Sequence, residues 1–554
     1  MDKKTKMKFN VLAVIAILLF CFAITPKTLQ NDTYYTIKIG EHIMENGIDM
    51  KDPFSWHENL PYTYPHWAYD VATYQIFNFG ENIGIGGFNA IYIATVILAM
   101  ILGVLLYFVA SKLCKNQLIA FLITFACIYL LQNFIAARAQ LVTYILFVLQ
   151  ILFIEQFLET KKKRYAIGLI IIPIIIANVH LAVWPFYFVL FLPYVAEYLI
   201  ALIADANLYY RIKIKLNKNK VKRLTLKKAS QERIDKLTKR IDELQEMQEK
   251  SIARKQERRN NPYRIILKKN SAAKWLIVIM IICAFTGLLT PLGDTPYTYL
   301  IKTMQGNTMS NISEHLPLTL INNRNILAVF ILFLAILIFT DTKITLRDLF
   351  MLGGLTLLCF MSRRQISLFV IVCGFIFEKL LVNFINKYDK DGCDKLTKAM
   401  TSWLGKIVTI LVVILISLYF YRNKIYSKVV DDSTYPVAAC DYIIENLDTK
   451  TMRIYNEYNY GSYLLYRGIP VFIDSRAELY TPQFNGVAGR DIFSDYINIS
   501  NISTYYEDKF ESYGITHVIV KRNAKLNMFL SRDKKYKQLY VDKYYVIYER
   551  TNNK

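Results

Sequence analysis

"FNVLAVIAILLFCFAITPKTLQNDTYYTIKIGEHIMENG" runs from Phe9 to Gly47. Its first part, Phe9 to Ile24, carries no charge and with its flanks approaches the ~20 residues that cross a bilayer. Ahead of it stand Lys3, Lys4, Lys6 and Lys8. A basic start before an apolar run also describes a signal peptide. No small-residue cleavage site follows, however, and the chain reads "ITPKTLQND", so an uncleaved first helix is expected. A few residues beyond it comes Asp32, heading a segment with Tyr35, Ile39, His42 and Ile43 at helical spacing. That aspartate has two readings. It is a helix N-cap, or it is a general base or metal-binding carboxylate held where low dielectric raises its pKa.

Such apolar blocks recur. "FNAIYIATVILAMILGVLLYFVA" begins at Phe88, and of the 554 residues 54% are hydrophobic, outside the usual soluble range. The fold class is therefore a polytopic α-helical membrane protein. Cys21, Cys127, Cys283, Cys359 and Cys373 sit inside apolar runs as small core residues, and no paired spacing marks disulfides or zinc.

The formal charge of +23 is concentrated between Arg211 and Lys269, and Arg211 to Lys228 holds nine basic residues and no acid. Next to membrane helices this reads as a cytoplasmic loop near anionic headgroups rather than a nucleic-acid patch. The positive-inside rule then sets a topology. The N-terminus is cytoplasmic, and residues 25–87 form an outer loop with eight acids against three lysines. Helices follow near 88–111, 117–136 and 139–158. Two more lie in 166–206, broken on the outer side at "ANVHLAVWP". After the basic cytoplasmic insertion at 207–272, in which "ERIDKLTKRIDEL" reads as a solvated helix, come helices near 273–292, 324–340, 347–361, 365–384 and 404–421. Residues 1–422 are thus a membrane domain of about 11 transmembrane helices. Residues 423–554, with β-prone "MRIYNEY", "IPVFID", "THVIVK" and "YYVIYER" between helical patterns, are an extracytoplasmic α/β domain.

Polar residues on the outer side carry the candidate chemistry. Asp52, in "KDPFSWHENLPYTYPHWAYDV", is a second acid, and the Asp-Pro pair also makes a turn. His57, His66 and Trp67 belong to an aromatic cluster that fits an interfacial girdle or a sugar-stacking surface. Arg138, Arg363 and Arg364 run against the positive-inside trend. Each can snorkel to lipid phosphate or hold a substrate phosphate bidentately. His180, in the broken span, and "SEH" at Ser313 to His315 face the same side. In the tail, Asp474, Arg476 and Glu478 follow a β-prone run, as a salt-bridge cluster or the wall of a crevice. No Walker loop, GxSxG, HExxH or paired CxxC is present.

Taken in order, "DTYYTIKIGEHIMENGIDMKDPFS", "ARAQL", "ANVHLAVWP", "TPLG", "SEHLP", "SRRQISLF", "YGSYLL" and "VFIDSRAELY" resemble the GT-C superfamily of integral-membrane glycosyltransferases. They resemble most closely a set of bacterial multi-pass proteins with a late VFIDGR-type motif. Ser462 and Ser475 stand where that pattern has glycines, and "PHWAYD" lacks its glutamate. The resemblance implies a bacterial cytoplasmic-membrane enzyme that moves a sugar from a polyprenyl phosphate to a glycan or protein acceptor. Asp32 would be the base, with Asp52 assisting it or binding a divalent cation. Arg138, His180, Arg363 and Arg364 would hold the donor phosphate. His57, His66, Trp67, Asp474, Arg476 and Glu478 would shape the acceptor site. Two other classes remain: a transporter or flippase of lipid-linked glycan, and a non-catalytic envelope-assembly protein. Oligomeric state, sugar and acceptor stay open.

Overall fold

The structure, a computed structural model, describes residues 2–203, 206–226, 231–260, 265–268, 270–389, 391–486 and 491–551. Parts of the basic insertion, at 227–230, 261–264 and 269, lie outside the described residues. The helix α1 (Lys3–Ile24) is followed by α2 (Asn31–Asn46) and α3 (Trp67–Asn82), and then by α4 (Gly87–Cys114), α5 (Gln117–Leu131), α6 (Ala139–Thr160) and α7 (Lys163–Val179). Next come α8 (Trp184–Val189), α9 (Leu192–Ile203) and a polar hairpin of α10 (Ala206–Leu226) and α11 (Gln231–Asn260). The bundle continues with β1 (Ile265–Ile266), α12 (Ala273–Ala284), α13 (Thr295–Gln305), α14 (Thr308–Asn311), α15 (Arg324–Phe339), β2 (Ile344–Thr345) and α16 (Leu346–Met361). It ends with α17 (Ile366–Tyr388), α18 (Gly392–Thr401) and α19 (Trp403–Tyr421).

Each apolar segment expected to be helical holds a helix among the described residues, but the one expected over 273–292 ends as an α-helix at Ala284 and as a 3-10 turn at Leu288. Seven helices among the described residues are long and apolar enough to cross a membrane, which makes the chain a helical membrane protein by length and composition. The expectation of about eleven spans counts four more, α7, α12, α15 and α16, with 17, 12, 16 and 16 residues. At 1.5 Å per residue each falls short of the ~30 Å hydrocarbon layer. Close packing holds the bundle: Ala13, Ala16 and Ile17 of α1 are buried with Ala99, Leu102 and Leu106 of α4 in one apolar core. By contrast α19 buries only Val413 among the described residues and exposes Trp403, Leu404, Leu411 and Leu415, as a lipid-facing helix does.

The tail builds a second core. It contains α20 (Val437–Asn446), β3 (Ile454–Tyr455), α21 (Tyr458–Tyr466), α22 (Pro482–Asn485), α23 (Ile492–Asn501), α24 (Tyr506–Tyr513), β4 (His517–Lys521), α25 (Lys525–Leu530), β5 (Tyr536–Val541) and β6 (Tyr545–Arg550). The sheet order is β3-β4-β6-β5, with β3 and β4 parallel and the other pairs antiparallel. This core is not confined to the tail, because Tyr34, Tyr35, Ile37, Ile39, Tyr62 and Tyr64 of the 25–87 loop are buried in it. "IPVFID", expected as a strand, is instead an extended segment outside the sheet. Its partner is the loop: Val471 N donates to Phe54 O and Trp56 N to Val471 O, both at 3.3 Å.

Helix α2 is wedged between α3 and α21. The wedge is tight at Gly40, where a Cβ would lie 2.2 Å from the Asp70 carbonyl oxygen. Gly40→Ala is therefore expected to cost about 1–3 kcal/mol through overpacking, lowering the thermal midpoint of the purified protein in detergent. Gly354→Ala, with nothing within 4 Å of the new Cβ, is the matched control and leaves the midpoint unchanged or higher. Equal midpoints for the two variants would contradict the wedge.

Candidate functional site

Helix α2 begins at Asn31, with Gln30 as its N-cap residue. Asp32 therefore lies inside the first turn, where a negative charge is favoured by the helix dipole, and it is not the cap. Its carboxylate turns to Arg138, with Oδ2 2.8 Å from Nε. Arg138 stands at the N-terminus of α6 and reaches a second acid, donating from Nη1 to Glu314 Oε1 and Oε2 at 3.0 and 3.2 Å. One guanidinium thus bridges two carboxylates drawn from α2 and from the 312–323 connection. The side chains of Asp32 and Arg138 are 22% and 23% exposed, so the pair is sheltered yet reachable.

Glu314 links this bridge to Arg364. Its backbone oxygen accepts from Arg364 N at 2.9 Å, pinning the start of α17 beside it. The Arg364 guanidinium lies 3.4 Å from His315 Nε2 and 3.4 Å from His180 Nε2. The Gln140 amide oxygen, oriented toward it, accepts from its Nε and Nη2 at 2.7 and 2.9 Å. Thr143 holds the other ring nitrogen of His180 at 3.0 Å. Burial, with Arg364 beside it, pushes the His315 imidazole below its ordinary range, which keeps it neutral, while Glu314 is held low because Arg138 and Arg364 outweigh its burial. Arg363 goes elsewhere: its backbone N donates to Leu316 O and its Nε to Pro317 O.

A second set of groups borders the first. His66 Nδ1 meets Asp70 at 2.9 Å and His66 Nε2 meets the Tyr35 hydroxyl at 3.1 Å, forming a carboxylate–imidazole–phenol relay across α2 and α3. Burial disfavours the imidazolium, but Asp70, with Asp32 and Glu478, outweighs it and holds the His66 pKa above its ordinary value. Burial raises the Asp70 carboxyl in turn. His66, Tyr35, Tyr62, Tyr299, Arg476 and Glu478 line a cleft of about 50 Å³ between the loop and the tail. The Tyr62 hydroxyl is buried without a hydrogen-bond partner. This volume holds no more than a water or two, so a larger ligand enters only if the two walls part.

Other expected site residues have structural work. Asp52 is saturated: Arg476 Nη1 donates at 2.7 Å, Phe54 N at 3.3 Å, Ser55 N at 3.0 Å and Ser55 Oγ at 2.5 Å. A carboxylate filled by four donors and touching a guanidinium does not fit a divalent cation, and it is distant in role from the Asp32 bridge. Asp474 is likewise taken by three donations from Arg476 and one from the Tyr480 hydroxyl. His57 is buried on the Phe472 carbonyl at 2.8 Å, and Trp67 Nε1 donates to Asn178 Oδ1 at 3.1 Å. Asp70, Tyr35 and Gln140 are the site residues to which the sequence reading gave no role, whereas Glu314 lies in the "SEH" stretch it placed on this side. His66 and Asp70 at i and i+4 were the available signal. Among the described residues no three His, Cys, Asp or Glu side chains are grouped to hold a metal ion. Neither a scan against protein-family models nor a search of curated proteins finds a match for this chain.

Burial works against the Asp52 charge, but Arg476 and the Ser55 donors outweigh it and hold the carboxyl below its usual range. A depressed folded pKa contributes stability that is present above the unfolded value and is lost as pH falls through the folded value. Asp52→Asn should therefore lower stability at neutral pH by roughly 3–5 kcal/mol. The gap from wild type starts to narrow below about pH 4, where the unfolded carboxyl takes up its proton, and closes as pH falls through the lower folded value. Thermal midpoints in detergent across an acid series check this, and equal midpoints at neutral pH would contradict it.

Proposed function

We propose that this chain is a GT-C-like membrane glycosyltransferase, transferring a sugar from a polyprenyl-phosphate-linked donor to an extracytoplasmic glycan or protein, with Asp32 as base. The observation that carries the proposal is the Asp32–Arg138–Glu314 bridge with Arg364 beside it. A phosphate monoester or diester brings the charge and geometry that guanidinium groups bind. It competes with Asp32 for Arg138. As Arg138 turns to the phosphate, the Asp32 carboxylate is freed at the moment a donor is bound. The acceptor hydroxyl bonds to the anomeric carbon, the bond from that carbon to the phosphate oxygen breaks, and the hydroxyl proton passes to Asp32. Polyprenyl phosphate leaves, its charge neutralised by Arg138 and Arg364. The His66–Asp70–Tyr35 relay and Glu478 form the acceptor side.

In this reading the N-terminus is cytoplasmic, the chain makes about eleven passes of a bacterial membrane, and the four-stranded sheet lies outside. Shorter helices such as α15 and α16 are accommodated by local thinning of the bilayer.

Asp32→Asn, expressed at wild-type level in a deletion strain, is expected to slow transfer by roughly 10²–10⁴-fold, the usual contribution of a general base. Surface glycans then lose a sugar and the sugar-charged polyprenyl-phosphate pool rises, as in the deletion itself. Glycans and lipid pools that match wild type in the Asp32→Asn strain would overturn the proposal.

A further inference from the structure

The end of the bundle opposite the sheet holds a basin that the transferase reading does not use. Its volume is about 1940 Å³, and it lies among α4, α6, α16 and α17, with α11 and residues 265–268, 270 and 271 along its wall. Its floor is ionic: Arg347 Nη2 donates to Glu155 at 2.9 Å, and Lys379 bridges Glu155 and Asp348 at 3.1 and 3.2 Å. Those four charges cancel. The wall is not balanced: apart from those four, the lining residues include six Lys and Arg against one acid, Glu159.

Three features separate this basin from the ordinary basic surface of a membrane protein. It is concave, so several cations face one volume instead of bulk solvent. Lys112, Lys115, Lys268 and Lys343 line it, and among the described residues none of them makes an ion pair. Arg347, on its floor, has a buried Nε with no hydrogen-bond partner. Ammonium groups that share one concave volume and, among the described residues, make no ion pair match an anion with several acceptor oxygens. Along α6 and α17 the basin is about 22–24 Å from the Arg138 and Arg364 site, so the two do not share a ligand.

We infer that this basin is a second binding site, for a phosphate-bearing anion, formed by Arg347 and Lys379 on its floor and Lys112, Lys115, Lys268 and Lys343 on its wall. The same chemistry has two sources, a lipid headgroup sliding in between the helix ends or a water-soluble diphosphate. The surplus of cations favours a ligand of two or more negative charges.

The test uses the full chain in phosphatidylcholine nanodiscs. One arm titrates inorganic pyrophosphate and follows the thermal midpoint. The other compares nanodiscs with and without phosphatidic acid. A rise in midpoint in one arm supports the site and names the source, and a rise in both assigns the shared phosphate chemistry. The variant Lys268→Gln/Lys343→Gln alters wall residues that make no ion pair among the described residues, so folding is retained. It is expected to weaken the response about tenfold or more, as loss of two charge-assisted contacts does. Lys220→Gln/Lys222→Gln removes the same charge from α10, away from the basin lining, and should leave the response intact. No shift in either arm, or an equal response in the two variants, would overturn the inference.

Discussion

Arg476 is buried with a carboxylate on either side of it, Asp474 two residues before it and Asp52 from the far end of the chain. A guanidinium taken out of water costs several kcal/mol unless its partners are held in place. That requirement ties the 25–87 loop to the tail. Around it the backbone of 54–56 runs beside Val471, and the Trp56 indole donates to Ile454 O at 2.9 Å. The rings of Phe54 and Tyr62 flank the guanidinium. Once the loop is stapled there, α2 and α3 have one place to lie, and their tyrosines complete the tail's core. The loop and the tail are in this sense one folded unit interrupted by a membrane bundle.

That unit sets the position of the site. Asp32 meets Arg138 because α2 is held between α3 and α21 while Thr33 Oγ1 donates to the carbonyl of Ala137, next to Arg138, at 3.4 Å. Asn31 donates to Tyr458 O at 3.0 Å, and Arg138 follows the buried Ala137. Glu314 and Arg364 arrive through a short backbone pairing of 314–316 with 363–364. Charges from four separate stretches thus gather where the apolar bundle meets the polar unit. A low-dielectric wall on one side strengthens each pairing and the attraction for an incoming anion.

Much of this was legible in the sequence. Hydropathy located the helices, since uninterrupted apolar runs have few alternatives, and the β-prone "THVIVK" and "YYVIYER" became β4 and β6. The misreadings share one cause, a partner remote in the chain. "VFID" is rich in β-formers, but its neighbour is the 54–56 segment, so it joins no sheet. For Asp52 the sequence leaves turn and chemistry both open, because its shell of donors is assembled only in three dimensions. The cap reading of Asp32 fails because α2 begins at Asn31, a boundary the local pattern does not mark, and the ion pair with Arg138 joins residues remote in the chain. The polar strand β5 gave no signal because its edge position asks for little burial. Ser462 and Ser475, which depart together from the glycines of the resembled pattern, lie Oγ to Oγ at 2.7 Å, so each accommodates the other.

The most direct measurement is the structure of the full chain in a nanodisc with polyprenyl phosphate added. The account predicts phosphate density between Arg138 and Arg364, with Asp32 released from Arg138 and facing the lipid-borne oxygen. Density elsewhere, with Arg138 still clasped between Asp32 and Glu314, would contradict it.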